Sequence, residues 1–167
     1  MKQNIKPCLE QHLPDKAKPG NAISAELWFT SAERHIASAK AIIDNDASGA
    51  FLLGWQAMHD TAKGLAALGN CRLENETHGK IVDFLVCVFD QLDDFDKGLV
   101  RRASSGRNAL SYDDPENADV MVCNEVLRVA SKLLAAARAG NSHPGHGGGF
   151  LRHHPRRRDR SRFRCRP

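Results

Sequence analysis

Apolar residues in this chain return every third or fourth position in several long stretches, and nowhere do they alternate with period two for long enough to make a strand. That spacing places one buried stripe along each of a series of α-helices and leaves little room for a sheet. Ser24 offers an N-cap oxygen to a first helix running to about Asn45, with Trp28, Ala32, Ile36, Ala39 and Ile43 on its inner side. Asp44-Asn45-Asp46 breaks the pattern and Ser48 can cap a second helix over 49–68. Its stripe is Leu52, Trp55, His59, Ala62 and Ala66, and Gly69-Asn70 is a fitting stop.

A third helix is expected over 78–92, carrying Ile81, Phe84, Leu85, Val88 and Leu92 on one side. Asp93-Asp94 interrupts, and a short segment with Phe95 and Leu99 leads into a polar stretch, 101–112, with an expected break at Ser104-Ser105-Gly106. Pro115 suits the first turn of a last long helix, where Glu116 and Asp119 favour the positive end of its dipole. Val122, Val126, Val129, Leu133 and Ala137 form its inner stripe, and Gly140 ends it. The predicted fold is all-α, an antiparallel bundle of four to five helices with short connections.

The chain divides into a flexible lead-in with three prolines (1–22), the bundle (23–140) and a tail (141–167) rich in Gly, His and Arg. The tail is too poor in apolar residues to offset its ordering entropy and is expected to be disordered. The formal charge of +4, from 24 Lys and Arg against 20 Asp and Glu, divides along the same line. Residues 151–167 hold eight arginines and one acid, a local +7, which leaves residues 1–150 at −3. The basic balance therefore belongs to the tail, and a basic globular nucleic-acid binder cannot be read from total charge. Half of the eight histidines also lie beyond Gly140. The tail fits a basic extension that holds nucleic acid by counterion release, but it fits better an extension with no specific partner or the translation of a shifted reading frame.

The first residues lack the apolar run of a signal peptide, and the longest uninterrupted apolar stretch, Phe84 to Phe89, falls far short of the roughly 20 residues that span a bilayer. Five cysteines, none spaced as CxxC, argue against a disulfide framework or a zinc site, so a cytoplasmic protein without metal or cofactor is expected. Cys87 and Cys123 sit in apolar helical stretches and read as small buried hydrophobes. No Gly-rich phosphate loop, HExxH or catalytic Ser-His-Asp spacing is present.

Three stretches carry a family likeness. They are Trp55-Gln56-Ala57-Met58-His59-Asp60-Thr61-Ala62-Lys63, then Thr77-His78-Gly79-Lys80 before an apolar run, then Arg107-Asn108 followed at Tyr112 by a ring side chain. Over about residues 24–139 the chain resembles the HEPN superfamily of small α-helical bundles. The last stretch looks like the family signature of an Arg, a polar residue and a His just before the final helix. The resemblance implies a homodimer with a composite site and metal-independent RNA cleavage, with Arg107, Asn108 and Tyr112 in the catalytic positions. It also implies RNA or a nucleotide as ligand, or a nucleotidyltransferase-like partner protein.

Tyr112 stands where that signature has His. A phenol of ordinary pKa about 10 is roughly a thousandfold under-populated as a base at pH 7. The expected function is therefore a HEPN-like dimeric binding or regulatory module with reduced or no RNase activity. The rivals are a metal-independent endoribonuclease of toxin type and a structural partner of a nucleotidyltransferase-like protein. Arg101, Arg102 and Arg107 are the predicted anion-binding cluster, and His59, Lys63 and His78 are secondary candidates. Plainer roles fit the same residues: Arg107 and Asn108 as caps, Tyr112 as a packing ring, His59 as a core histidine and His78 as a cap.

Overall fold

The computed structural model describes residues 2–13, 17–19, 23–73, 78–112 and 118–141. In chain order these form α1 (Lys2–His12), β1 (Ala17–Pro19), α2 (Ile23–Ile42), α3 (Ala47–Leu68), β2 (Cys71–Leu73), α4 (His78–Val88), α5 (Asp94–Tyr112) and α6 (Val120–Asn141). The architecture is an all-α helical bundle. β1 and β2 add one antiparallel ribbon, with Ala17 opposite Leu73 and Pro19 opposite Cys71.

α3 is the axis of the fold and packs against all five other helices. Its composition allows this, because Ala50, Gly54, Ala57, Ala62, Gly64, Ala66 and Ala67 are buried and let neighbouring backbones approach. At Gly64 the ring of Phe29 from α2 lies where a methyl group would stand, 2.2–2.9 Å from the position of a Cβ. The fully buried Phe29, Phe84, Phe89, Leu65, Met58 and Leu133 fill the core around this axis.

The helix starts are set by aspartates. Asp46 caps α3 by accepting from the Gly49 N–H at 2.7 Å, in place of the expected Ser48. Asp93 does the same for α5 through the Asp96 N–H, and Asp119 for α6 through Met121. Ser24 is not a cap, because α2 already begins at Ile23. Asn70, with φ at 58°, supplies the left-handed residue after α3.

Several expectations need correction. Residues 2–12, read as a flexible lead-in, are helical; Ile5, Cys8, Leu9 and Leu13 form their buried side, and Pro7 is tolerated within the helix on its exposed face. Cys8 is disulfide-bonded to Cys87 of α4, against the expectation of no disulfide. The polar stretch from Arg101 is not broken at Ser104-Ser105-Gly106 but continues α5 to Tyr112. Ala103 and Ser104 are buried there, and packing overrides the weak helix propensity of Ser and Gly. Trp28 is only half-buried, and Phe29 takes the core position. Val122 is exposed, while Val126, Val129, Leu133 and Ala137 keep the inner stripe of α6. Pro115, Glu116 and the tail beyond Asn141 lie outside the described residues. Among the described residues no helix is long and apolar enough to cross a membrane.

Candidate functional site

Continuity of α5 decides where its charges go. At about 100° per residue, Arg101, Arg102 and Arg107 point roughly 100–140° apart around the helix. Arg101 and Arg102 are exposed, whereas Arg107 is half-buried on the side that also carries Asp96, Val100 and Ala103. The three arginines therefore do not converge on one spot. Arg107 Nη1 donates to Asn108 Oδ1 at 3.1 Å, so these two predicted residues do meet. Tyr112 ends the helix one turn beyond Asn108; its side chain, like that of His78, is outside the described set.

The secondary candidates sit elsewhere. A Cβ on Gly106 would lie 2.7 Å from the Phe51 ring, which places the Arg107 end of α5 against the start of α3. His59 and Lys63 are about 12 and 18 Å further along α3 at 1.5 Å per residue. His59 is buried with its ring centroid 6.4 Å from that of Trp55. The Lys63 ammonium lies 4.9 Å over the Trp28 ring. Next to them, the buried carboxylate of Asp60 accepts from Gln56 Nε2 at 2.9 Å and stands 3.4 Å from His35 Nε2.

The densest cluster joins the opening turn of α5 to α6. Asp96, almost wholly buried, accepts from Arg128 Nη2 at 2.6 Å and from Lys132 Nζ at 2.5 Å. Burial pushes the Asp96 carboxyl up, but the two cationic donors outweigh it and hold the group below its ordinary value. Arg128 is raised by its hydrogen bonds to Asp96 and Glu125. The adjacent ring of Phe95, 58% exposed, has two guanidiniums near it, Arg102 at 6.0 Å and Arg128 at 5.9 Å from its centroid.

Beside this ring a groove of about 530 Å³ runs between α5 and α6, lined by Phe95, Leu99, Arg102, Met121, Val122 and Glu125 among others. Its apolar members include the most exposed large hydrophobic side chain of α6, Met121 at 76%. Its rim carries one cation, Arg102, and two carboxylates, Asp119 and Glu125, so the floor takes a flat apolar body and only the Arg102 side offers a place for a negative charge.

Of the expected residues, only Arg102 belongs to this cluster. Phe95, Asp96, Arg128 and Lys132 were not singled out from the sequence. The signal was present in the spacing, since Asp96 falls in register with Leu99, Val100 and Ala103, an acid on an apolar stripe that needs a cation from a neighbouring helix.

The Cys123 thiol donates to the Ala47 carbonyl at 3.0 Å, and burial pushes its pKa up, which disfavours the reactive thiolate. Among the described residues no three His, Cys, Asp or Glu side chains are grouped to hold a metal ion. No family model matches this chain, and no curated protein matches it either.

Proposed function

We propose that this chain is a cytoplasmic, HEPN-like homodimeric binding or regulatory module for RNA or a nucleotide, with reduced or no nuclease activity. The observation that carries the binding half of this reading is the exposed Phe95 ring beside Arg102 at the edge of the α5–α6 groove. A base can stack on such an aromatic edge while Arg102 takes a phosphate, an arrangement common to proteins that hold single strands. The absence of a histidine from the Arg107-Asn108…Tyr112 stretch supports the non-catalytic half. There, Arg107 and Asn108 can still orient a phosphate, while a phenol at position 112 can donate a hydrogen bond but is a poor base near neutral pH.

The test measures single-stranded RNA binding and RNA cleavage in EDTA, on the full chain and on a chain ending at Gly140. Both proteins should bind with micromolar affinity that weakens as salt rises, and neither should cleave. Arg102→Ala should weaken binding by about fivefold to tenfold, the value of one charge-assisted contact. Cleavage that Arg107→Ala abolishes would establish the endoribonuclease reading instead. Stoichiometric co-purification of a nucleotidyltransferase-like protein, without RNA affinity, would establish the structural-partner reading.

A further inference from the structure

We propose that the Cys8–Cys87 disulfide is a site of thiol–disulfide exchange, opened by a small thiol or dithiol, and that opening it releases α1 while α2 to α6 stay folded. The two cysteines differ in exposure: Cys8, on the inner side of α1, is 3% exposed, whereas Cys87 is only partly buried on α4. The incoming thiolate accordingly attacks Cys87 Sγ, on the less buried residue. Its sulfur bonds to Cys87 Sγ as the Cys8–Cys87 bond breaks, and the electron pair leaves on Cys8 Sγ, which takes a proton from water. A second thiol attacks the mixed disulfide, frees Cys87 as a thiolate and leaves as the oxidised disulfide of the reductant. Two external thiols thus supply the two electrons.

α1 is built to depend on this bond. Its 11 residues fall below the length at which an isolated helix holds in water, and Pro7, next to Cys8, removes one of its backbone donors. Lys6, Glu10 and Gln11 face solvent, and its only ion pair among the described residues is the exposed Lys6–Glu10 contact within the helix itself. Its grip on the bundle is apolar: Ile5 and Leu9 close over Gly69 at the end of α3, where a Cβ would stand 3.0–3.1 Å from them. The disulfide is the covalent tie between α1 and α4, so with α2 to α6 still folded its opening leaves α1 held by apolar packing alone. The helices that carry the α5–α6 groove are joined by separate ion pairs, Asp96 of α5 with Arg128 and Lys132 of α6, and α6 is tied to α2 through Arg138 with Glu26 and Glu33. Where thiol pools are kept reduced, a disulfide with one partly exposed cysteine persists only transiently, which is the chemistry of a redox sensor.

Hydrogen exchange on the full chain, before and after dithiothreitol, tests this. Exchange over residues 2–13 should speed up by at least about tenfold on reduction, with α3 and α6 unchanged, and should slow again on reoxidation. The double variant Cys8→Ser, Cys87→Ser should match the reduced protein without reductant; if it does not fold, the wild-type comparison decides alone. Unchanged exchange over 2–13 would overturn the proposal. So would loss of protection in all helices together, which would make the bond a staple of the whole fold, or alkylation of both Cys8 and Cys87 before any reductant is added.

Discussion

The two ends of α5 carry charge in opposite ways. At its start Asp96 is sealed between α5 and α6 and satisfied by Arg128 and Lys132, so its charge is spent on joining two helices. Toward its end the half-buried Arg107 donates to its chain neighbour Asn108, which is exposed. One end therefore ties two helices together, while the other pairs polar side chains along its own helix. A buried ion pair and a half-buried Arg–Asn pair look equally polar in a sequence; only the neighbouring helix tells them apart.

The largest effect is expected at the sealed end. Asp96→Ala leaves Arg128 and Lys132 facing a buried gap, and breaking such a pair from one side costs about 3–5 kcal/mol. Both cations keep close to half their side chains in water, which puts the loss near the lower figure, about 3 kcal/mol, read as a lower urea midpoint at unchanged slope. The same group sets an acid limit. Its folded pKa is depressed, so its contribution is complete above the unfolded value of about 3.9 and disappears as pH falls through the lower folded value. The stability gap between wild type and Asp96→Asn should accordingly be constant from pH 5 to 7 and close below about pH 4.

Packing at the other end gives a smaller effect. Gly106 lets α5 approach Phe51, and the methyl of Gly106→Ala would stand 2.7 Å from that ring. The gain in helix propensity, about 1 kcal/mol, works against an overpacking cost of about 1–3 kcal/mol, so a net loss of about 1 kcal/mol is expected in thermal or urea unfolding. Gly98→Ala on the same helix has nothing within 4 Å of its Cβ and should instead stabilise by several tenths of a kcal/mol.

The helices with a continuous apolar stripe, α2, α3, α4 and α6, are legible because burial and periodicity agree: Ile36, Ala62, Phe84 and Leu133 lie where the spacing puts them. α1 is not legible, since three prolines and a polar surface mask the Ile5, Cys8, Leu9 and Leu13 stripe. Its partner Cys87 is 79 residues away, a distance that no local pattern can bridge. The candidate site suffered from the same locality. Reading a break at Ser104-Ser105-Gly106 gathers Arg101, Arg102 and Arg107 into a loop, whereas one uninterrupted helix spreads them around its circumference. Phe95 gains its meaning only from Arg128 on another helix.

The smallest effect on stability is expected to coincide with the largest effect on ligand. Arg102 is exposed, and its one described contact is over the face of Phe95, a pairing that contributes about 0.5–1 kcal/mol at an exposed site. Arg102→Ala should therefore shift the unfolding midpoint only slightly, while RNA affinity falls fivefold to tenfold. Arg102→Lys separates the two contributions. It keeps the charge and loses the planar guanidinium, so it should retain the salt dependence of binding but not its full strength. Arg107→Ala removes a half-buried stem as well as a charge, and should cost more stability than Arg102→Ala for less affinity. The reverse order, with Arg107 dominating affinity and Arg102 silent, would move the ligand from the α5–α6 groove to the Arg107-Asn108 end of the helix.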